Sequence, residues 1–395
     1  MSSAAETETP VPRRFDMSPD WSRRAGRTMR LFVPGDPEPT EQERGLHAEA
    51  LLRGDAPADR LVRAIRTDRS VSMAQFRAAL EHGITAVPDA PAPLRDFFAQ
   101  LEPRPSWVDD DLLRRGAEIC LEAGLTSLDV LGDSSLMGGY RSSATTEVLA
   151  GTGRLLEDQV NRRVAETSEW WHECVRPGGM ERFGMGWRLT VHVRLMHAMV
   201  NRRFLDSGTW DVEDWGLPVN QFDQAGTLAL FSTSYLVSVR ALGVPVSRVD
   251  GHAVMHLWRY VGWLMGVDEH WLAQTEAEGR RNFYHAMLLS PGPDENSRRL
   301  AKALAESHLD TQFRRLRVLR QRFEYRKHLS LAALFHGRSG MAELGLPAST
   351  PWYAALAVPW NLAKHLAARA VPGGRRRLRE RADRQITARI AEYRA

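Results

Sequence analysis

Cysteine is nearly missing from this chain: Cys120 and Cys174 are two residues in 395. Two thiols cannot build a disulfide framework or a four-thiolate metal site, which excludes a small disulfide scaffold and a zinc ribbon. Both lie in helix-like surroundings, where free cysteine behaves as a small buried apolar side chain and a reducing compartment suits it. Lysine is almost as scarce, occurring only as Lys302, Lys327 and Lys364, so nearly all positive charge is arginine. Acidic residues almost balance it, to a net +4, and no long basic face precedes the C-terminus, so nucleic-acid binding lacks its electrostatic footprint. Long apolar runs are absent as well. The best stretches, LALFSTSYLVSV and WYAALAVPWNLA, fall short of the roughly 20 residues that span a bilayer. No apolar run of roughly 7–15 residues follows the paired N-terminal arginines, as a secretory signal requires. The expectation is a soluble, cytoplasmic protein with no transmembrane segment. A Gly-rich phosphate loop, a G-x-S-x-G elbow and a C-x-x-C pair are also missing, so hydride transfer on a Rossmann domain and serine hydrolysis lose their usual support.

What the chain does have is apolar residues at helical spacing, 43% hydrophobic residues in all, enough for a large core. Residues 1 to about 40 are rich in Pro, Thr, Glu and Arg without periodicity and read as a mostly disordered lead-in. From Glu41 the pattern turns helical: EQERGLHAEALLRG, ADRLVRAIRT and SMAQFRAALEHG follow one another, the last closed by Gly83. Further helices are expected over 111–124, 142–175 with a break near Gly151 to Gly153, 187–206, 222–242, 248–265, 268–288, 294–325 and 328–344. Alternating strands and fixed-period repeats are not found. The reading is an all-α protein with one large helical domain over 41–345 and an apolar, then basic, segment over 346–395. That last segment reads first as a solvated or docking helix and second as a membrane-surface or partner-binding one.

One helix stands out. WRLTVHVRLMHAMVNRRF, Trp187 to Phe204, is apolar almost all the way round, yet Thr190, Arg194, His197 and Asn201 follow steps of four, three and four and share one stripe. A lone buried histidine is ordinarily a hydrogen-bonded core residue. A buried guanidinium beside it needs a carboxylate, a phosphate or a cofactor carboxylate to offset its desolvation. In ATTEVLAGTGRLLEDQVNRRVAETSEWW, Arg163 and Thr167 lie four apart with Glu166 beside them, and Glu147 precedes a Gly-marked break; a surface pair of Glu166 with Arg163 is the plain reading there. His252 and His256, also four apart, could grip a metal from one helix face but lack the Glu of HExxH and a third ligand. Asn220, Gln221 and Asp223 read as helix caps.

The order of PSWVDDDLLRRG, SSLMGGY, VLAGTGRL, RRVAETSEWW, WRLTVHVRLMHAMV, WGLPVNQFDQAGTLALFS and WRYVGWLMGVDE resembles the catalytic domain of the latex-clearing proteins, or rubber oxygenases, over about 103–344. Their wider family includes the mpaB-type oxygenases of fungal mycophenolic acid synthesis. The resemblance implies an all-helical, globin-like core holding one haem b, with His197 as proximal iron ligand and Arg194 near it. It implies Glu147 as a carboxylate base, and Arg163 and Thr167 as residues of the distal pocket. Two positions depart from the rubber cleavers: Glu166 stands where they carry a lysine, and Asn201 where an arginine is usual.

Residues and resemblance together lead to an oxidoreductase: a haem b-dependent oxygenase, of dioxygenase type, acting with dioxygen on a small or medium apolar substrate carrying a double bond, isoprenoid or fatty acyl. His197, Arg194 and Asn201 form the cofactor side; Glu147, Arg163 and Thr167 the catalytic side. Two rival classes stay open: a non-haem metal or di-metal oxygenase on a helical bundle using His252 and His256, and a haem or lipid carrier without turnover.

Overall fold

In the computed structural model, residues 11–151, 160–313 and 315–394 are described. They hold helices and turns, with no strand among the described residues. The first five helices are α1 (Pro19–Arg30), α2 (Glu41–Leu51), α3 (Ala56–Arg66), α4 (Met73–His82) and α5 (Ala92–Leu101). Then come α6 (Asp110–Ala123), α7 (Leu125–Val130), α8 (Met137–Gly139), α9 (Ser143–Gly151), α10 (Val160–Val175), α11 (Met185–Ser207) and α12 (Val212–Trp215). The remainder are α13 (Gln221–Ala229), α14 (Tyr235–Ala241), α15 (Arg248–Leu264), α16 (Glu276–Leu288), α17 (Glu295–Asp310), α18 (Arg317–Glu343), α19 (Trp352–Ala370) and α20 (Gly374–Arg394).

Local chemistry starts and stops these helices. Thr40 with Glu43, Ser72 with Gln75 and Ser247 with Asp250 form capping boxes at α2, α4 and α15, each satisfying two orphan backbone donors. Asp109 caps α6 through the N–H groups of Asp111 and Leu112. Gly208, in the left-handed region at φ 66°, ends α11. α15 is buried almost all round, with Trp258, Tyr260 and Leu264 fully enclosed. It crosses α6 backbone to backbone: a Cβ on Gly116 would sit 2.3 Å from the Ala253 carbonyl oxygen.

Two helical stretches widen into π turns, Leu131–Leu136 and Leu230–Ser234, and they face each other. The Ser134 hydroxyl lies 3.1 Å from that of Ser234 and 2.7 Å from that of Ser238, while Ser135 Oγ donates to the Leu230 carbonyl at 2.7 Å. The single helix expected over 222–242 is therefore α13, a π turn and α14.

Two other expectations change. The lead-in read over 1 to about 40 contains α1; residues 1–10 lie outside the described residues. α1 escapes a hydropathy pattern because its buried side is Ser22 and Gly26, the latter flush under the Tyr284 ring. The helix expected over 294–325 is two, since Leu316 adopts φ 48°, ψ 41° between α17 and α18. No glycine or proline marks that break. The C-terminal segment takes the docking one of its readings and packs onto the body: Ala382, Ile386, Ile390 and Tyr393 of α20 are buried. Arg375 and Arg379 of α20 close on the buried Glu122 of α6. The expected break at Gly151 to Gly153 and the rest of the VLAGTGRL motif run into residues 152–159, outside the described residues.

Candidate functional site

The stripe on α11 resolves into two kinds of residue. Thr190, Arg194 and Asn201 are buried and each has a protein partner. Thr190 Oγ1 donates to the Gly186 carbonyl at 2.7 Å and accepts the Trp170 indole N–H at 3.0 Å. Arg194 forks onto Asp55, Nε to Oδ2 at 2.5 Å and Nη2 to Oδ1 at 2.9 Å, with its guanidinium 5.2 Å over the Phe97 ring. Asp55 is itself the N-cap of α3, and Gly266, at φ 86°, roofs the ion pair where any Cβ would strike it. The buried guanidinium thus meets a protein carboxylate. Asn201 Oδ1 accepts the backbone N–H of Val219 at 3.3 Å. Arg194 and Asn201, read as cofactor contacts, anchor α11 to the α3 cap and to the loop before α13.

His197 differs. Its Nδ1 is buried with no hydrogen-bond partner. The side chain stands where the polar side of α11 meets a half-buried apolar side made of Leu189, Val193, Met196 and Val200. Burial lowers the imidazole pKa, against the raising effects of the Gln224 amide and the Asp55 carboxylate. It is therefore a neutral ring at neutral pH. Gln224 projects from α13, and its Oε1 is likewise buried and unpartnered. Beside α11, Trp170, Phe231 and Trp258 pack with ring centroids 5.1 to 5.8 Å apart; Phe231 sits in the second π turn.

The other sequence-predicted residues keep their own neighbours. Glu147 on α9 is half-buried and accepts from Asn296 Nδ2 at 3.2 Å. Arg163 on α10 is half-buried; burial raises the Tyr140 phenol above its ordinary value, and the Arg163 charge partly opposes that rise. Thr167 is exposed one turn further on. Glu166 is exposed too, and its surface pair is with Arg162 at 2.9 Å rather than with Arg163. Among the described residues no hydrogen bond or ion pair joins Glu147, Arg163 or Thr167 to His197. His252 and His256 do not form a ligand set: His252 is exposed, and His256 Nε2 accepts the Asp109 backbone N–H at 3.0 Å. Cys120 and Cys174 are free, and burial pushes both thiols up to about 12, leaving them inert.

A neutral, unpartnered imidazole on a rigid helix beside an apolar face could hold a metal or haem iron, and a nearby amide oxygen could accept from its second ring nitrogen. The family described as "ER-bound oxygenase mpaB/B'/Rubber oxygenase, catalytic domain" matches residues 121–371. The chain belongs to this family. The mpaB/rubber-oxygenase match starts inside α6 and ends just past α19, later at both ends than the motifs suggested, so α19 lies within the family domain. A rubber oxygenase of Streptomyces sp. (strain K30) is 24% identical over 189 residues, 47% of this chain. The chain spans about half, 46%, of the length of that curated relative. A solved structure of latex clearing protein LCP in the closed state superposes with a TM-score of 0.61 at 19% identity, covering 86% of this chain and 91% of that one. At that identity the likeness concerns the fold: mpaB/rubber-oxygenase domains and this chain share an all-helical architecture.

Sequence reasoning missed two residues of this site. Gln224 follows Gln221 by three in NQFDQAG, so both project from one face of α13, but the stretch reads as caps. Asp55 gave no signal beyond its place before a helix.

Proposed function

We propose that the protein is a haem b-dependent oxygenase that adds dioxygen across the double bond of a small or medium apolar substrate, with His197 as the residue that holds the haem iron. The buried Nδ1 of His197, without a hydrogen-bond partner and with the Gln224 amide acting on the same imidazole, carries the reading, and family membership supports it. When bound, the haem supplies the dioxygen chemistry that side chains cannot.

The chain's own groups do the rest. His197 would hold the iron through Nε2, with Nδ1–H donating to the Gln224 amide oxygen, which would set tautomer and ring orientation. Arg194 and Asn201 hold α11 still from behind. Leu189, Val193, Met196 and Val200 give the substrate an apolar wall that excludes water. Glu147, propped by Asn296, takes an allylic proton from the substrate and returns it, since the overall conversion of an alkene and dioxygen into two carbonyls consumes no net proton. Arg163 and Thr167 are assigned to the distal pocket by the family resemblance, Arg163 as its positive charge. Isoprenoids and unsaturated fatty acyl chains are the substrate classes that fit.

The test begins with absorption spectroscopy and a pyridine haemochrome assay on the purified protein. A Soret band at stoichiometric haem is expected, lost in His197→Ala with helical circular dichroism retained. Oxygen consumption with terpenoids and unsaturated lipids should yield carbonyl products, and Glu147→Gln should keep the haem and lose turnover. A protein without haem that carries non-haem iron or manganese would refute the reading, as would full haem in His197→Ala.

A further inference from the structure

α19 is clamped on one side and bare on the other. Asn361 donates from Nδ2 to the Leu242 carbonyl at 2.8 Å, and Ala357 and His365 are buried with it. This fixes the helix rotation, so the opposite face must look outward. That face carries no charge: Leu356, Trp360 and Leu366 are 58%, 67% and 60% exposed, with alanines and Pro359 between them. At the start of α19 the Trp352 ring meets Phe323 of α18 at 6.1 Å. Leu319, exposed on the same stripe of α18 as Phe323, and the exposed Leu316 just before the helix extend the apolar surface. An exposed apolar patch of this length marks an interaction site.

The flanks identify the partner. No acidic residue occurs between Glu343 and Glu380. Arg317, Arg322 and Arg326 of α18 are exposed with no ion pair among the described residues. At the far end, Arg369 and Arg377 are exposed and bond only to backbone carbonyls. A second copy seated here about a twofold axis would set arginine against arginine. An anionic headgroup layer would meet both flanks with opposite charge, and tryptophan and leucine on the face between suit the boundary between headgroups and acyl chains. No described helix is long and apolar enough to cross a membrane, so the contact lies in the surface plane.

We infer that the outer face of α19, with the adjoining stripe of α18, seats the protein on an anionic lipid bilayer. The inference does not rest on the haem reading, since partition onto vesicles needs no turnover. It gives an enzyme for water-insoluble substrates direct access to where they dissolve.

The experiment is co-sedimentation of the full chain with phosphatidylcholine vesicles containing about a third phosphatidylserine, against phosphatidylcholine alone. The wild type should bind the anionic vesicles, more weakly as salt rises. The triple change Leu356→Glu, Trp360→Glu, Leu366→Glu should lower partition at least about tenfold with circular dichroism unchanged. Arg322→Ser with Arg326→Ser should lose the preference for phosphatidylserine. Hydrogen exchange of the wild type with and without vesicles removes dependence on any variant: protection should concentrate on α19. Equal partition of wild type and triple variant, absence of vesicle protection on α19, or a wild-type dimer that the triple change converts to monomer would each overturn the inference.

Discussion

Thr190, Arg194, His197 and Asn201 show how far spacing carries at the scale of single residues. Their steps put them on one face of α11, as read from the sequence, but what meets them comes from elsewhere: Trp170 on α10, Asp55 at the α3 cap and the loop at Val219 as partners, and beside His197 the Gln224 amide of α13, not hydrogen-bonded to it. Three are satisfied and one is not, and only that one remains for a ligand. A prediction follows for Gln224. Replacing it by leucine keeps volume and removes the acceptor for His197 Nδ1–H. Haem affinity should fall roughly 10–100-fold, with a shifted spectrum and unchanged helical content. Gln224→Glu, which restores an acceptor, should recover most of it. An unaltered haem dissociation rate in Gln224→Leu would show that the amide does not orient the imidazole.

At the scale of elements, α18 carries a buried ionic group that binds four other segments. Lys327 Nζ reaches Asp129 of α7 at 2.7 Å and Glu324, one turn back, at 3.1 Å. His328 Nδ1 lies 2.6 Å from Asp133 in the first π turn, its ring stacked 3.6 Å from His308 of α17, while Arg389 of α20 approaches Glu324 at 3.4 Å. Burial works to lower the His328 imidazolium, but Asp133 and Glu324 outweigh it and push it up to about 9. Burial raises the Asp133 carboxyl as well, so the pair holds a proton more tightly than either group in water. A histidine raised above its ordinary 6.5 stabilises the fold fully below that value and loses the contribution as pH climbs through about 9. Urea midpoints should therefore decline between those two pH values and flatten in His328→Gln. A wild-type midpoint constant across that window would contradict the assignment. The helix pattern over 294–344 locates these residues on helices. Nothing in it announces that a carboxylate from the first π turn will meet them.

For the molecule as a whole, the C-terminal hairpin of α19 and α20 is the part whose role the sequence left open. α20 is rich in arginine and reads as a solvated or docking helix; it docks, with Ile386 completely buried and Arg375 and Arg379 closing on Glu122. Ile386→Ala should cost about 2–5 kcal/mol, the range for deleting a buried aliphatic side chain, measured by chemical unfolding. Arg376→Ala, on an exposed position of the same helix, should be close to neutral. A negligible effect of Ile386→Ala would mean that the hairpin is not part of the cooperative unit.

The sequence by itself determined the helical class, most helix positions and the residue types available for chemistry, because 3.6-residue periodicity and capping side chains are local. It placed His197, Glu147 and Arg163 on helices, and its motif order pointed to the mpaB/rubber-oxygenase family. It did not reveal α1, whose contact side is serine and glycine, or the π turns, which need a facing helix to hold them. It could not tell that Arg194 was already answered by Asp55, 139 residues away in sequence, nor that His197 was not. Those outcomes belong to the tertiary structure, because a buried polar group is settled by whatever distant side chain packing brings within about 3 Å.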